Sequence, residues 1–100
     1  MSPRVTLDPR KIAAFCRKWK ITEFSLFGSV LRNDFGPDSD IDVLVTFAQD
    51  APWDYFDWPE LLDELKTIFG RTVDLVEKES LRNPFRRHEI LTTRHIVYAA

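Results

Sequence analysis

Two pairs of residues in one short stretch have the types and spacing that phosphate and metal chemistry requires. Residues 28–45, GSVLRNDFGPDSDIDVLV, begin with Gly28 and Ser29 and carry Asp40 and Asp42 near their end. Alternate residues of a β-strand point to the same side about 6.6 Å apart, so these two carboxylates can converge on one cation. Carboxylates without cysteine or histidine favour Mg²⁺, which also takes waters and phosphates as ligands. A simpler interpretation is that both aspartates only cap a strand end in solvent.

The Gly28–Ser29 pair has the character of an anion-binding turn. A turn from a strand into a helix presents backbone N–H groups and a positive helix end to a phosphate, and glycine lets the chain approach closely. Ser29 either adds a hydroxyl donor or only caps the helix that follows. Arg32 follows three residues later. It either reaches a phosphate or pairs with an acid such as Asp42.

A third acid, Asp74, lies in a later hydrophobic run, where burial of a charge would be unfavourable. As a purely structural residue it would be an acid at a strand edge paired with Arg71 or Arg94.

The hydrophobic pattern predicts the elements that must position these residues. Asp8 and Pro9 begin a helix that runs to about Lys18, and helical spacing returns up to Gly70 and again after the predicted cap Asn83. Alternating apolar residues predict four strands at 22–28, 40–47, 71–77 and 95–99. We therefore expect an α/β (α+β) fold in which a small mixed sheet of about four strands is flanked by helices, as a single domain over residues 1–100.

Composition and charge exclude several classes of protein. The chain has no apolar run near the roughly 20 residues that a bilayer span needs, and no secretory signal, so we expect a cytoplasmic protein with no membrane partner. The single cysteine, Cys16, cannot form an internal disulfide. The formal net charge of −2 argues against binding of a long nucleic acid, although small anions remain possible ligands.

Two further segments are candidate contact surfaces. PWDYFDWP, residues 52–59, is rich in aromatic rings that can anchor an interface, stack on a nucleotide base or simply complete the core, and we favour the core. RNPFRRH, residues 82–88, can face an acidic patch or nucleotide phosphates, or form a solvated basic helix face.

The combined pattern of Gly-Ser, an arginine three residues later, Asp-Ile-Asp opening a strand and a further Val-Asp-Leu strand resembles the minimal nucleotidyltransferase (MNT) family of the DNA polymerase beta superfamily. The resemblance extends over nearly the whole chain. It implies the nucleotidyltransferase fold. One departure is Asn33, where the family usually has glycine; asparagine tolerates a left-handed backbone better than most residues, so we expect the turn to be kept.

The resemblance also implies roles for individual residues. Asp40, Asp42 and Asp74 would be catalytic metal ligands for two Mg²⁺ ions, and ATP would be the nucleotide donor. Gly28, Ser29 and Arg32 would form the nucleotide-binding turn.

The resemblance further implies a partner. MNT proteins resemble the antitoxin half of HEPN/MNT (type VII-like) toxin–antitoxin pairs, so the chain would transfer AMP from ATP to a tyrosine hydroxyl of its cognate HEPN ribonuclease toxin and would form a hetero-oligomer with it. Two alternatives remain: an antitoxin that acts by masking the toxin, and a nucleotidyltransferase that modifies a small molecule.

Overall fold

Residues 7–31, 36 and 39–100 are described by a computed structural model of the chain. Within that part, the elements in chain order are α1 (Pro9–Lys18), β1 (Ile21–Phe27), a 3-10 turn (Gly28–Leu31), β2 (Ile41–Phe47), a second 3-10 turn (Tyr55–Asp57), α2 (Trp58–Phe69), β3 (Val73–Glu77), a third 3-10 turn (Lys78–Ser80), α3 (Pro84–Thr93) and β4 (His95–Ala99). None of these helices is long and apolar enough to cross a membrane.

The helices begin and end at the residues that the sequence indicates. The Asp8 carboxylate accepts hydrogen bonds from two backbone N–H groups in the first turn of α1, and Pro9 follows it. Asn83 and Pro84 repeat this arrangement at the start of α3. Gly70 ends α2 with φ of 68°, a left-handed conformation that glycine adopts without steric strain. These local signals depend only on neighbouring residues, which is why they could be predicted.

The four strands form one mixed sheet in the order β3-β2-β1-β4. β1 pairs antiparallel with β2 and with β4, whereas β2 and β3 are parallel and are connected through α2. The predicted α+β fold, with a small mixed sheet flanked by helices, is confirmed.

The two faces of the sheet are covered by different helices. On one face, Ile41, Val43 and Val45 of β2 are fully buried in a core cluster that includes residues of α1 and α2. On the other face, Leu44 packs with Phe27 and with Ile90 of α3 in a smaller cluster. The strand period of two therefore assigns Asp42 to the same face as Leu44 and α3.

The structure differs from the predicted boundaries in two places near the candidate site. β2 begins at Ile41, so Asp40 lies just before the strand and not within it. The segment after β1 is a four-residue 3-10 helix and not an α-helix, so the positive end of a helix dipole expected at Ser29 is not provided by the described residues. Arg32, Asn33 and most of the predicted turn at 35–39 lie outside the described residues; within that turn, the Ser39 N–H donates to the Gly36 carbonyl at 3.1 Å.

Candidate active site

Asp42 and Asp74 lie directly opposite each other on the parallel strands β2 and β3. Neighbouring strands are about 4.8 Å apart and paired residues point to the same face, so the two carboxylates project from the same face of the sheet next to each other. Asp42 is half-buried, whereas Asp74 is exposed. Two acids from distant parts of the chain are thus neighbours on the face that α3 covers.

Gly28 lies against the Asp42 carboxylate. Its backbone is left-handed, with φ of 73°, and a Cβ atom at this position would be only 2.3 Å from Oδ2 of Asp42. Any larger residue would therefore both strain the backbone and collide with the carboxylate. Both the left-handed backbone and the close approach of Asp42 therefore favour glycine at position 28.

Ser29 and Asp40 are joined at the edge of the same site. The Ser29 hydroxyl donates to the backbone carbonyl of Asp40 at 3.5 Å, at the outer limit of a hydrogen bond. Asp40 itself is exposed, one residue before β2. The contact connects the turn after β1 to the start of β2 and leaves the Asp40 carboxylate open to solvent.

The donor set near Asp42 fits a magnesium ion in its chemistry. Mg²⁺ binds proteins through one or two carboxylates and completes its octahedron with water and substrate phosphates, and Asp42 and Asp74 can supply such a pair. Within residues 7–31, 36 and 39–100, no three side chains of His, Cys, Asp or Glu are grouped closely enough to hold an ion together. The participation of Asp40 as a further ligand, and the metal role of all three acids, stay predictions.

A cleft of about 670 Å³ opens beside this site, between the end of β1 and helix α3. Gly28 and Asp42 line one side of it, and Arg86, Glu89 and Thr93 of α3 line the other. A larger groove of about 760 Å³ lies between α1 and α2, but it contains none of the candidate residues because those helices cover the opposite face. The smaller cleft is therefore the candidate active site.

Helix α3 forms a wall of this cleft that the sequence did not predict, although residues 82–88 are predicted as a possible phosphate surface. Residues 86, 89, 90 and 93 share one helical stripe by their spacing of three and four. Ile90 turns this stripe toward the sheet by packing on Phe27 and Leu44. The spacing could have indicated the stripe, but not which face of the sheet receives it.

Asp74 does not pair with Arg94, one of the two alternatives left open for it. Arg94 instead forms an ion pair with Glu23 of β1, and Lys78 lies 3.6 Å from the same carboxylate. Burial alone would raise the pKa of Glu23, but the hydrogen bond and charge of Arg94, together with Lys78, hold that pKa below its usual value. Arg71, the other alternative, donates to the backbone carbonyl of Gly36 at 2.6 Å.

The aromatic segment at 52–59 divides between the core and the surface. The Trp53 ring contacts the rings of Trp19 and Phe47 at 5.2 and 6.1 Å between centroids, and Trp58 contacts Phe47 at 6.4 Å. Trp53 packs against the main core cluster, as favoured from the sequence, whereas Trp58 contacts the partly buried Phe47 at the edge of that cluster. Phe56 is 92% exposed, and the side chain of Tyr55 is outside the described part of the structure.

Comparison with known proteins gives a consistent result. The model of the nucleotidyltransferase domain family matches residues 9–97. A protein from Methanocaldococcus jannaschii, named as a candidate protein adenylyltransferase, is 36% identical over 73 residues, which is 73% of each chain. The protein adenylyltransferase MntA of Thermococcus cleftensis is 33% identical over 81% of this chain and 77% of its own length.

Solved structures agree with the fold. A crystal structure of a toxin–antitoxin with AMP-PNP superimposes with a TM-score of 0.72 at 26% identity, covering 94% of this chain and 75% of the other.

Proposed function

Since this chain belongs to the nucleotidyltransferase domain family, we propose that it is an antitoxin that transfers AMP from ATP to a tyrosine hydroxyl of a cognate HEPN toxin. The main support is the register that sets Asp42 beside Asp74 next to the close approach of Gly28. Relatives named as protein adenylyltransferases, and the likeness to a toxin–antitoxin structure with a bound ATP analogue, support the choice of nucleotide and partner.

In this proposal, Gly28 and Ser29 hold the triphosphate. Because residue 28 has no side chain, the phosphates can approach its backbone N–H beside the Asp42 carboxylate. Asp42 and Asp74, with Asp40, would hold Mg²⁺, which supplies Lewis-acid stabilisation of the charge that develops on the phosphate oxygens. Arg32 would neutralise further phosphate charge.

The proposed reaction is an in-line displacement at the α-phosphorus. The tyrosine oxygen forms a bond to this phosphorus while the bond to the bridging oxygen breaks and pyrophosphate leaves. The proton of the tyrosine hydroxyl passes to Asp74, the exposed member of the pair and the one accessible to an incoming protein. Asp42 is half-buried against Gly28 and keeps the nucleotide in position.

The acceptor would enter through the cleft beside α3. A cleft of about 670 Å³ that is open on one side can take a nucleotide and leave the α-phosphate accessible to a second protein. We expect the reaction to occur in the cytoplasm, where this protein would meet both ATP and the toxin.

Incubation of this protein and its proposed HEPN-domain partner with α-labelled ATP and Mg²⁺ tests the proposal. Wild-type protein should label the partner, and replacement of the acceptor tyrosine by phenylalanine should prevent labelling. The double variant Asp40→Ala, Asp42→Ala should transfer no label, whereas Asp63→Ala, an exposed acid on α2 at the opposite face, should behave as wild type.

The same assay separates modification from masking. If wild-type protein labels nothing and the Asp40→Ala, Asp42→Ala variant still neutralises the ribonuclease, the chain acts by covering its toxin. Labelling of a small molecule in place of the partner would support the other alternative from the sequence.

A further inference from the structure

The first turn of α3 presents a large apolar side chain to solvent. Phe85 is 85% exposed, one of three large hydrophobic residues that are exposed in the described part of the chain. Its backbone is held in place, since the Asn83 side chain accepts hydrogen bonds from the N–H groups of Phe85 and Arg86 at 3.0 and 3.2 Å. A rigid, exposed aromatic ring is the kind of residue that anchors protein interfaces.

Phe85 directly precedes a residue that lines the candidate active site. Arg86, the next residue, lines the cleft together with Asp42 and Gly28. A protein that delivers a hydroxyl group to the cleft from the α3 side therefore passes the first turn of this helix. The other highly exposed phenylalanine, Phe56, lies in the second 3-10 turn, next to Trp58, which contacts Phe47. Phe47 is at the opposite end of β2 from Asp42, about 16 Å away along the strand.

The same turn is basic, against the net negative charge of the whole chain. Arg82, Arg86 and His88 are exposed, and no carboxylate of the described residues lies within ion-pair distance of them. Arg87 is different, because its guanidinium donates to the backbone carbonyls of Lys78 and Leu81 at 3.0 and 3.4 Å. Arg87 thus holds α3 against the preceding turn. The exposed charges of Arg82 and Arg86 can interact with a partner protein.

We propose that Arg82, Phe85 and Arg86, here called the docking turn, bind the acceptor protein and set which hydroxyl group enters the cleft. The complementary surface is an apolar side chain flanked by carboxylates, close to the modified hydroxyl. This inference rests on the proposed function, in which the acceptor is a protein, and it assigns the specificity for that protein to residues outside the acidic site.

A different role for Arg86 is conceivable on chemical grounds. As a cleft residue it can also bind the triphosphate, because guanidinium groups form paired hydrogen bonds with phosphates. The two roles separate in steady-state kinetics. Loss of a phosphate contact raises the KM for ATP, whereas loss of a docking contact raises the KM for the partner and leaves the KM for ATP unchanged.

The test compares two phenylalanine variants that differ in position and match in exposure. With the proposed HEPN-domain partner as acceptor, Phe85→Ala should raise the KM for that protein about 30-fold, which is the effect of truncating an interface anchor. Phe56→Ala should leave it unchanged. Arg82→Glu should raise the same KM about 10-fold and reduce the rise of KM with salt, because an attractive charge is lost, whereas Arg10→Glu, on α1 at the opposite face, should do neither. Each variant should melt at the wild-type temperature.

Direct binding distinguishes failure of this inference from failure of the proposed activity. The dissociation constant of the complex, measured by calorimetry without ATP, should rise for Phe85→Ala even if wild-type protein transfers no label. Equal effects of Phe85→Ala and Phe56→Ala on binding would overturn the docking turn, and so would an Arg82→Glu or Phe85→Ala change confined to the KM for ATP.

Discussion

The two faces of the sheet have different roles: one packs the core that stabilises the fold, and the other carries the acids of the candidate active site. The face under α1 and α2 is an apolar layer in which Ile41, Val43 and Val45 of β2 are fully buried and Phe47 is partly buried. The face under α3 has a small cluster of Phe27, Leu44 and Ile90 at one position and acids beside it. Because side chains alternate along a strand, residues next to each other in β2 belong to different faces. The comparison teaches that one short strand can serve the core and the site independently.

The largest effect is expected from Asp42→Asn. Removal of the negative charge should lower the rate of AMP transfer about 1,000-fold, as for other groups that stabilise charge in a transition state. The free energy of unfolding should change far less than it does for a truncation in the core, because asparagine matches aspartate in size and shape. Single-turnover kinetics and urea denaturation measure the two quantities. A variant that is equally inactive and strongly destabilised would contradict the division between the faces.

Leu65→Ala should lower the stability and leave the activity nearly unchanged if the two faces have separate roles. Leu65 of α2 is fully buried against the other face of the sheet, so the cavity left by the smaller side chain should lower the free energy of unfolding by about 2–5 kcal/mol. The kcat per folded molecule should remain near that of wild type, because α2 covers the face of the sheet opposite to the cleft. Denaturation followed by activity at a temperature below the transition would check both statements.

Gly28→Ala is expected to disturb both properties to a smaller degree. The left-handed backbone should lower the free energy of unfolding by about 1–2 kcal/mol. The new Cβ must also displace the Asp42 carboxylate, and a misplaced ligand of this kind reduces turnover by about 100-fold. A crystal structure of the variant should show the Asp42 side chain in a different rotamer. Wild-type activity with an unmoved carboxylate would show that the close approach is not needed.

The smallest effect is expected at the Glu23 ion pairs, at the end of β1 remote from Gly28. The folded-state pKa of Glu23 is below its unfolded value, so its contribution to stability is present above the unfolded pKa of about 4.3 and is lost as the pH falls through the folded pKa. Glu23→Gln should lower the free energy of unfolding by about 1.5 kcal/mol at pH 7. At a pH below the folded pKa the difference should vanish, which a pH series of denaturation curves would reveal.

Local chemistry accounts for what could be predicted from the sequence. The caps at Asp8, Asn83 and Gly70 and the alternation along β2 depend on residues close in the chain, and each is found where it was expected. The pairing of Asp42 with Asp74 was inferred only through a family resemblance, because strand register depends on contacts between distant segments.

Long-range packing explains what could not be predicted. The ion pair of Arg94 with Glu23 joins residues that are far apart in the sequence. Helix α3 forms one wall of the cleft because Ile90 packs on Phe27 and Leu44. No periodic pattern distinguishes which side of a sheet a helix will cover. Likewise, composition alone did not separate Trp53 and Trp58, which are packed, from the exposed Phe56.

The parallel pairing of β2 with β3 has a consequence for when activity first arises. Antiparallel neighbours can pair through a short hairpin, but a parallel pair requires the chain to pass along the sheet and return through α2. Until that return is complete, residues 42 and 74 belong to separate, unconnected segments. A chain still emerging from the ribosome would therefore have one acid without the other and could not begin nucleotide transfer.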